Sequence, residues 1–213
     1  MSTLKATNLS HASAASPNIV LDSAGKTTFG GAVAGAGMDL ITPTSVAGSG
    51  VTVSGGAVSF SGSTTVSVNG CFTSTYENYL LLMQNVASAS SVLRVRLRDA
   101  GGDLTGGNYS YGSGGFDSGG GTQNFGAGSQ TSFVLGYSST LRTSCALTII
   151  GPNLSQNTQI TGTAEVINSL DTVYVGGVFG AVHFAGTVCT GISIYPTSGT
   201  FTGSLRVYGY RNS

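Results

Sequence analysis

Hydrophobic and polar positions alternate most clearly between Tyr79 and Arg98. The run Tyr79–Val86, YLLLMQNV, and the run Ser91–Arg98, SVLRVRLR, are separated by a small polar turn at Ala87–Ser90. In the second run Leu93, Val95 and Leu97 alternate with Arg94, Arg96 and Arg98. A strand sends successive side chains to opposite faces, so one face is aliphatic and the other carries the guanidiniums. The pattern predicts a half-buried antiparallel strand pair. Further strands are expected at 64–72, 107–112, 131–137, 142–150, 158–168, 172–184, 186–195 and 201–211. Turn signals separate them at Gly101-Gly102, Gly151-Pro152-Asn153, Asn168-Ser169 and Pro196–Gly199. No stretch has a helical period or an N-cap ahead of an apolar stripe. Many short strands with frequent turns point to a sandwich or barrel, and about eight to ten of them suit a jelly roll. The expected fold is all-β, with a jelly-roll-like antiparallel β-sandwich over 64–213.

The N-terminal part has a different texture. Residues 1–17, MSTLKATNLSHASAASP, are small and polar with no period. They read as an extended attachment arm, which is either a free tail or a tether that orders on a partner. His11 is a lone histidine there and receives no role. From Asn18 to Ser63 come very short strand-like runs, among them NIVLD, TTF, GVTVS and AVSFSG, separated by glycine turns such as Gly55-Gly56. A Gly-Gly pair between alternating runs is a hairpin signal, but so short a hairpin is marginal alone. The segment 18–63 is therefore expected to be a thin β shaft shared by three chains, or a linker.

One stretch interrupts the sandwich pattern. From Gly101 to Gly128, twelve of twenty-eight residues are glycine, interleaved with Tyr109, Tyr111, Phe116, Asp117, Asn124 and Phe125. Loops beyond about 12–15 residues are uncommon in compact domains, and glycine costs more ordering entropy than any other residue. Two readings stand: an unordered loop, or a recognition surface of aromatic plates on an adaptable backbone. On the second reading Tyr109, Tyr111, Phe116, Asp117 and Asn124 are glycan contacts, because stacking aromatics with polar neighbours suit sugars.

Composition narrows the partners. Charged residues make up 8% of the chain, hydrophobic residues 40%, and the formal net charge is zero. Disorder throughout is excluded by that hydrophobicity, and binding nucleic acid by neutralising phosphates is excluded by the lack of net positive charge. Neutrality favours association. The Arg94/Arg96/Arg98 ladder is either a face paired with carboxylates such as Glu77 or Glu165, a subunit interface, or a patch for acidic sugars; the guanidinium fork suits each. The scarcity of other charges tilts it towards a subunit interface.

Chemistry-bearing residues are sparse. Cys71, Cys145 and Cys189 are odd in number and include no C-x-x-C pair, so they are expected to be reduced, buried thiols rather than disulfides or metal ligands. The acidic residues form no obvious pair on one strand face, as glycoside hydrolysis requires. His183 lies among aliphatic and aromatic residues and reads as a core histidine. No nucleophile elbow or phosphate-binding loop is present. No catalytic residue, cofactor or metal site is assigned, and an enzyme is not expected. MSTLKATNLS lacks a charged-then-apolar leader, and no apolar run reaches the ~18 residues of a membrane helix, so neither export nor membrane insertion is expected.

The run 72–111 resembles a segment of small fibre-like structural proteins of tailed bacteriophages, particularly those of marine and cyanobacterial hosts. The shared elements are Phe72, Tyr76 and Asn78-Tyr79, the aliphatic strand after them, Leu93–Arg98 before a glycine turn, and Tyr109-x-Tyr111. The ending GTFTGSLRVYGYRNS, with Gly203, Leu205, Tyr208 and Gly209, is similar to their last strand, and NIVLDSAGKTTF is similar to their attachment segment. The resemblance implies a virion protein assembled in the host cytoplasm, usually a homotrimer, docked on other tail or capsid proteins through residues 1–30. It implies a tail fibre or adhesin that contacts host-surface carbohydrate. The alternative is a capsid decoration or cement protein, and a polysaccharide-degrading spike enzyme comes third.

Overall fold

The computed structural model describes residues 37–117, 121–167 and 174–211, together with 8–9, 19–21, 23 and 27–29. The chain divides into two units, Met1–Gly37 and Met38–Asn212. In the first, β1 (Asn8–Leu9), β2 (Ile19–Leu21) and β3 (Thr27–Phe29) pair antiparallel in the order β1-β2-β3. The remainder of the expected arm, His11 included, lies outside the described residues.

The second unit is an antiparallel β-sandwich, and no helix occurs among the described residues. Its strands are β4 (Met38–Leu40), β5 (Ser45–Ala47), β6 (Val51–Ser54), β7 (Ala57–Ser63), β8 (Val66–Asn69), β9 (Asn78–Ala87), β10 (Ser91–Asp99) and β11 (Gly102–Asp103). They continue with β12 (Tyr109–Asp117), β13 (Thr122–Gln130), β14 (Phe133–Ser138), β15 (Thr143–Ile150), β16 (Thr158–Ile167), β17 (Tyr174–His183), β18 (Gly191–Pro196) and β19 (Phe201–Tyr210). The larger sheet runs β13-β12-β17-β16-β15-β9-β19-β7-β6, with β4 also on β19. The smaller runs β11-β10-β18-β8-β5, with β14 also on β10. From β9 onward the chain passes repeatedly between the sheets, as a jelly-roll-like sandwich should.

The period-two pattern decides what each strand buries. Leu93, Val95 and Leu97 on β10 meet Val66 and Val68 on β8 and Ile192 and Ile194 on β18 in one core. Tyr79, Leu81 and Met83 on β9, Leu147 and Ile149 on β15, and Leu205 and Val207 on β19 close that core from the larger sheet. Each such fully buried apolar side chain contributes about 1.5–3 kcal/mol. Phe72 and Tyr79 serve the fold: their rings pack in a tilted arrangement with centroids 4.9 Å apart, and the Tyr79 hydroxyl donates to the Thr73 carbonyl at 2.7 Å.

Two expectations are corrected. The shaft or linker does not extend to residue 63, because β4–β7 are strands of the sandwich. β7 lies along β19 and buries Val58 and Phe60, with Phe60 against Phe201 at 4.7 Å between ring centroids. β4 and β7 hydrogen-bond to the ten-residue β19, β6 to β7 and β5 to β8, so each short strand has a partner. The Gly-rich stretch 101–128 is mostly strand among its described residues and not one long loop. It forms the hairpin β12–β13, and β12 pairs along its whole length with β17. Its glycines masked the alternation, since a strand with no side chain at every second position shows no hydrophobic period.

Candidate functional site

The arginine ladder lies on the outer face of the smaller sheet and is answered within the chain. Arg98 is its hub. Its Nε donates to Asn69 Oδ1 at 2.9 Å, and its Nη1 donates to Ser193 Oγ at 2.9 Å, to Ser67 Oγ at 3.3 Å and to Asp103. Ser193 Oγ also donates to Asp103 Oδ1 at 2.7 Å. Arg96 donates from Nε to the Thr131 carbonyl at 3.1 Å and lies 5.0 Å from the centre of the Tyr195 ring. Arg94 donates to Ser132 Oγ at 3.0 Å. The carboxylate is therefore Asp103 and not Glu77, while the side chain of Glu165 lies outside the described residues. A two-residue turn folds β11 back on β10 and brings Asp103 opposite Arg98. The scarcity of charges that suggested a subunit contact is met by hydroxyls, amides and one aspartate.

The expected glycan contacts separate. Tyr109 is fully buried: its hydroxyl donates to the Leu104 carbonyl at 2.8 Å and accepts from the Leu97 amide at 3.2 Å. Its ring packs on Phe133 at 4.7 Å and on His183 at 4.5 Å. Tyr109 is thus a core residue and not a ligand contact. Tyr111, two residues on, packs against the same core. Phe116 has the opposite parity and is 67% exposed. Asn124 is exposed on β13, and the side chain of Asp117 lies outside the described residues. Period two distributes the aromatics of β12 over two faces, so they cannot form one platform.

The buried titratable groups have structural roles. His183 is a core residue whose burial holds its pKa below the ordinary 6.5, so the imidazole stays neutral. Cys71, Cys145 and Cys189 are all buried free thiols, and burial pushes them up to about 12, 12 and 11 respectively. Such thiols are poor nucleophiles.

One concavity was not anticipated. It is an open groove of about 740 Å³ on the outer face of the larger sheet, bordered by Leu82, Gln84, Ser144, Thr163, Ser204 and Arg206. The strand register aligns two rows across it. One is Arg206, Leu82, Ala146 and Thr163; the next is Ser204, Gln84 and Ser144. Gln84 Nε2 donates to Ser204 Oγ at 3.4 Å, which orients the amide along the wall. Leu82 is 40% exposed and gives the groove an apolar floor. These residues occupy the polar half of ordinary alternating strands, and no spacing marks them; only the pairing of β19, β9, β15 and β16 places them together.

Compared with family models, with curated proteins and with solved structures, the chain matches none.

Proposed function

We propose that this chain is a structural protein of a tailed-bacteriophage virion, a homotrimeric tail fibre or adhesin. Its N-terminal unit docks on the particle, and its sandwich binds host-surface carbohydrate. The reading rests on the resemblance carried by residues 72–111 and is supported by the groove over β19, β9, β15 and β16. A wall of amide and hydroxyl groups over an apolar floor matches the two faces of a sugar ring, whose hydroxyls need hydrogen bonds and whose C–H surface needs apolar contact. The separate N-terminal unit supports attachment by that end.

The test is binding of the purified full-length chain to host cells and to their extracted polysaccharide, alongside Thr163→Trp, which fills the groove. Retention of wild type and loss of the variant supports the reading. Absence of any binding, with the protein found on the capsid at high copy number by electron microscopy, replaces it with a decoration or cement protein.

A further inference from the structure

We infer that the groove selects carboxylated saccharides, with Arg206 taking the carboxylate. This deepens the glycan-binding reading above and rests on it. The observation is the unequal use of the arginines. Arg94, Arg96, Arg98 and Arg211 are all held by side chains or carbonyls of their own chain. Arg206 has no hydrogen bond or ion pair among the described residues, although it lines the groove. Arg142 is likewise unheld but is absent from the groove lining. In a chain with 8% charged residues, a free guanidinium at the rim of a groove is a conspicuous electrostatic feature.

Its surroundings suit an anionic sugar. Arg206 is in register with Leu82, and Leu82 with Ala146, so the cation adjoins the apolar floor. The neighbouring row, Ser204, Gln84 and Ser144, offers hydroxyl and amide groups two residues along each strand and continues in register to Glu165 on β16, at the end of the row away from Arg206. The row from Arg206 to Thr163 crosses three strand spacings, about 14 Å, enough for a short oligosaccharide rather than a single ring. A guanidinium binds a carboxylate through two parallel N–H···O bonds, which fixes the orientation of the sugar as well as its charge. Beside an apolar floor that ion pair is screened less than one in open water.

The experiment is calorimetric titration of the full-length protein with paired probes: oligogalacturonate and oligomannuronate, each as the free acid and as the methyl ester. The pairs differ in charge and not in ring stereochemistry. The acids are expected to bind roughly 10- to 100-fold more tightly than the esters, with that advantage shrinking as salt is raised. Arg206→Gln is expected to remove the difference and Arg206→Lys to keep part of it. If esters bind as well as acids, or Arg206→Gln changes nothing, the charge selection is wrong while glycan binding stands. If no saccharide of either kind binds, glycan recognition itself fails and this inference with it. If Thr163→Trp dissociates an oligomer instead of blocking sugar, the groove is a contact between copies and both are overturned.

Discussion

Arg211 grips Asp39 across 172 residues of chain, Nε reaching Oδ2 at 2.9 Å and Nη2 reaching Oδ1 at 2.5 Å. Tyr76 donates to the same carboxylate at 2.8 Å. The cluster fastens β4, at the start of the sandwich, to the residue after β19, at its end. Gly209 makes room for it, because a Cβ there would lie 2.4 Å from the Tyr76 ring. We therefore expect Gly209→Ala to lower the thermal midpoint. Asp39→Asn and Arg211→Gln should each lower it too, with the double variant little worse than either, since both remove one interaction.

The same carboxylate carries a pH signature. The Arg211 guanidinium, followed by the Tyr76 hydroxyl, holds Asp39 below its ordinary 3.8. A depressed carboxylate adds stability that is full above the unfolded value and is lost as pH falls through the folded one. The stability difference between wild type and Asp39→Asn should therefore persist down to about pH 4 and shrink below it, as read by urea unfolding at stepped pH.

His183 acts in the same direction, higher on the pH scale. Its folded pKa lies below 6.5, so below that pH the unfolded chain takes up a proton that the native state refuses. Stability should be level above pH 7 and fall as pH drops through 6.5 towards the lowered value. His183→Gln should lack that slope, whatever its cost at neutral pH.

Arg98 should matter more to stability than to assembly. Arg98→Met strands Asp103 and Ser193 together, and we expect a loss of roughly 1–3 kcal/mol in urea unfolding. Oligomer mass should be unchanged in a variant that stays folded. A dissociated but fully stable protein would return the ladder to the role of a subunit interface.

Truncations separate the two units. Removing residues 1–36 should leave a folded sandwich and, if the proposed virion role holds, abolish docking on the particle. Removing residues 1–62 also deletes Val58 and Phe60 from the core. Their burial is worth about 3–6 kcal/mol together, so the longer truncation should unfold or aggregate. Circular dichroism and thermal melts of the two proteins decide it.

The sequence by itself determined the fold class and most of the strands. Leu93/Arg94 through Leu97/Arg98 shows why: where one face is apolar and the other polar, local pattern and burial give the same answer. It determined too that His183 is buried, from the apolar residues around it, and that the cysteines are, from their odd count and scattered spacing. Tyr109 and Phe116 mark where this stopped. Both are aromatics in a glycine-rich stretch, and only pairing of β12 with β17 sends one into the core and leaves the other exposed. Asp103 as the partner of Arg98, Asp39 as that of Arg211, and the grouping of Leu82, Gln84, Ser144, Thr163 and Arg206 are likewise tertiary. A strand's pattern fixes which side chains share a face, but its neighbours are chosen by chain-distant pairing, and a binding surface on a sheet is made of neighbours.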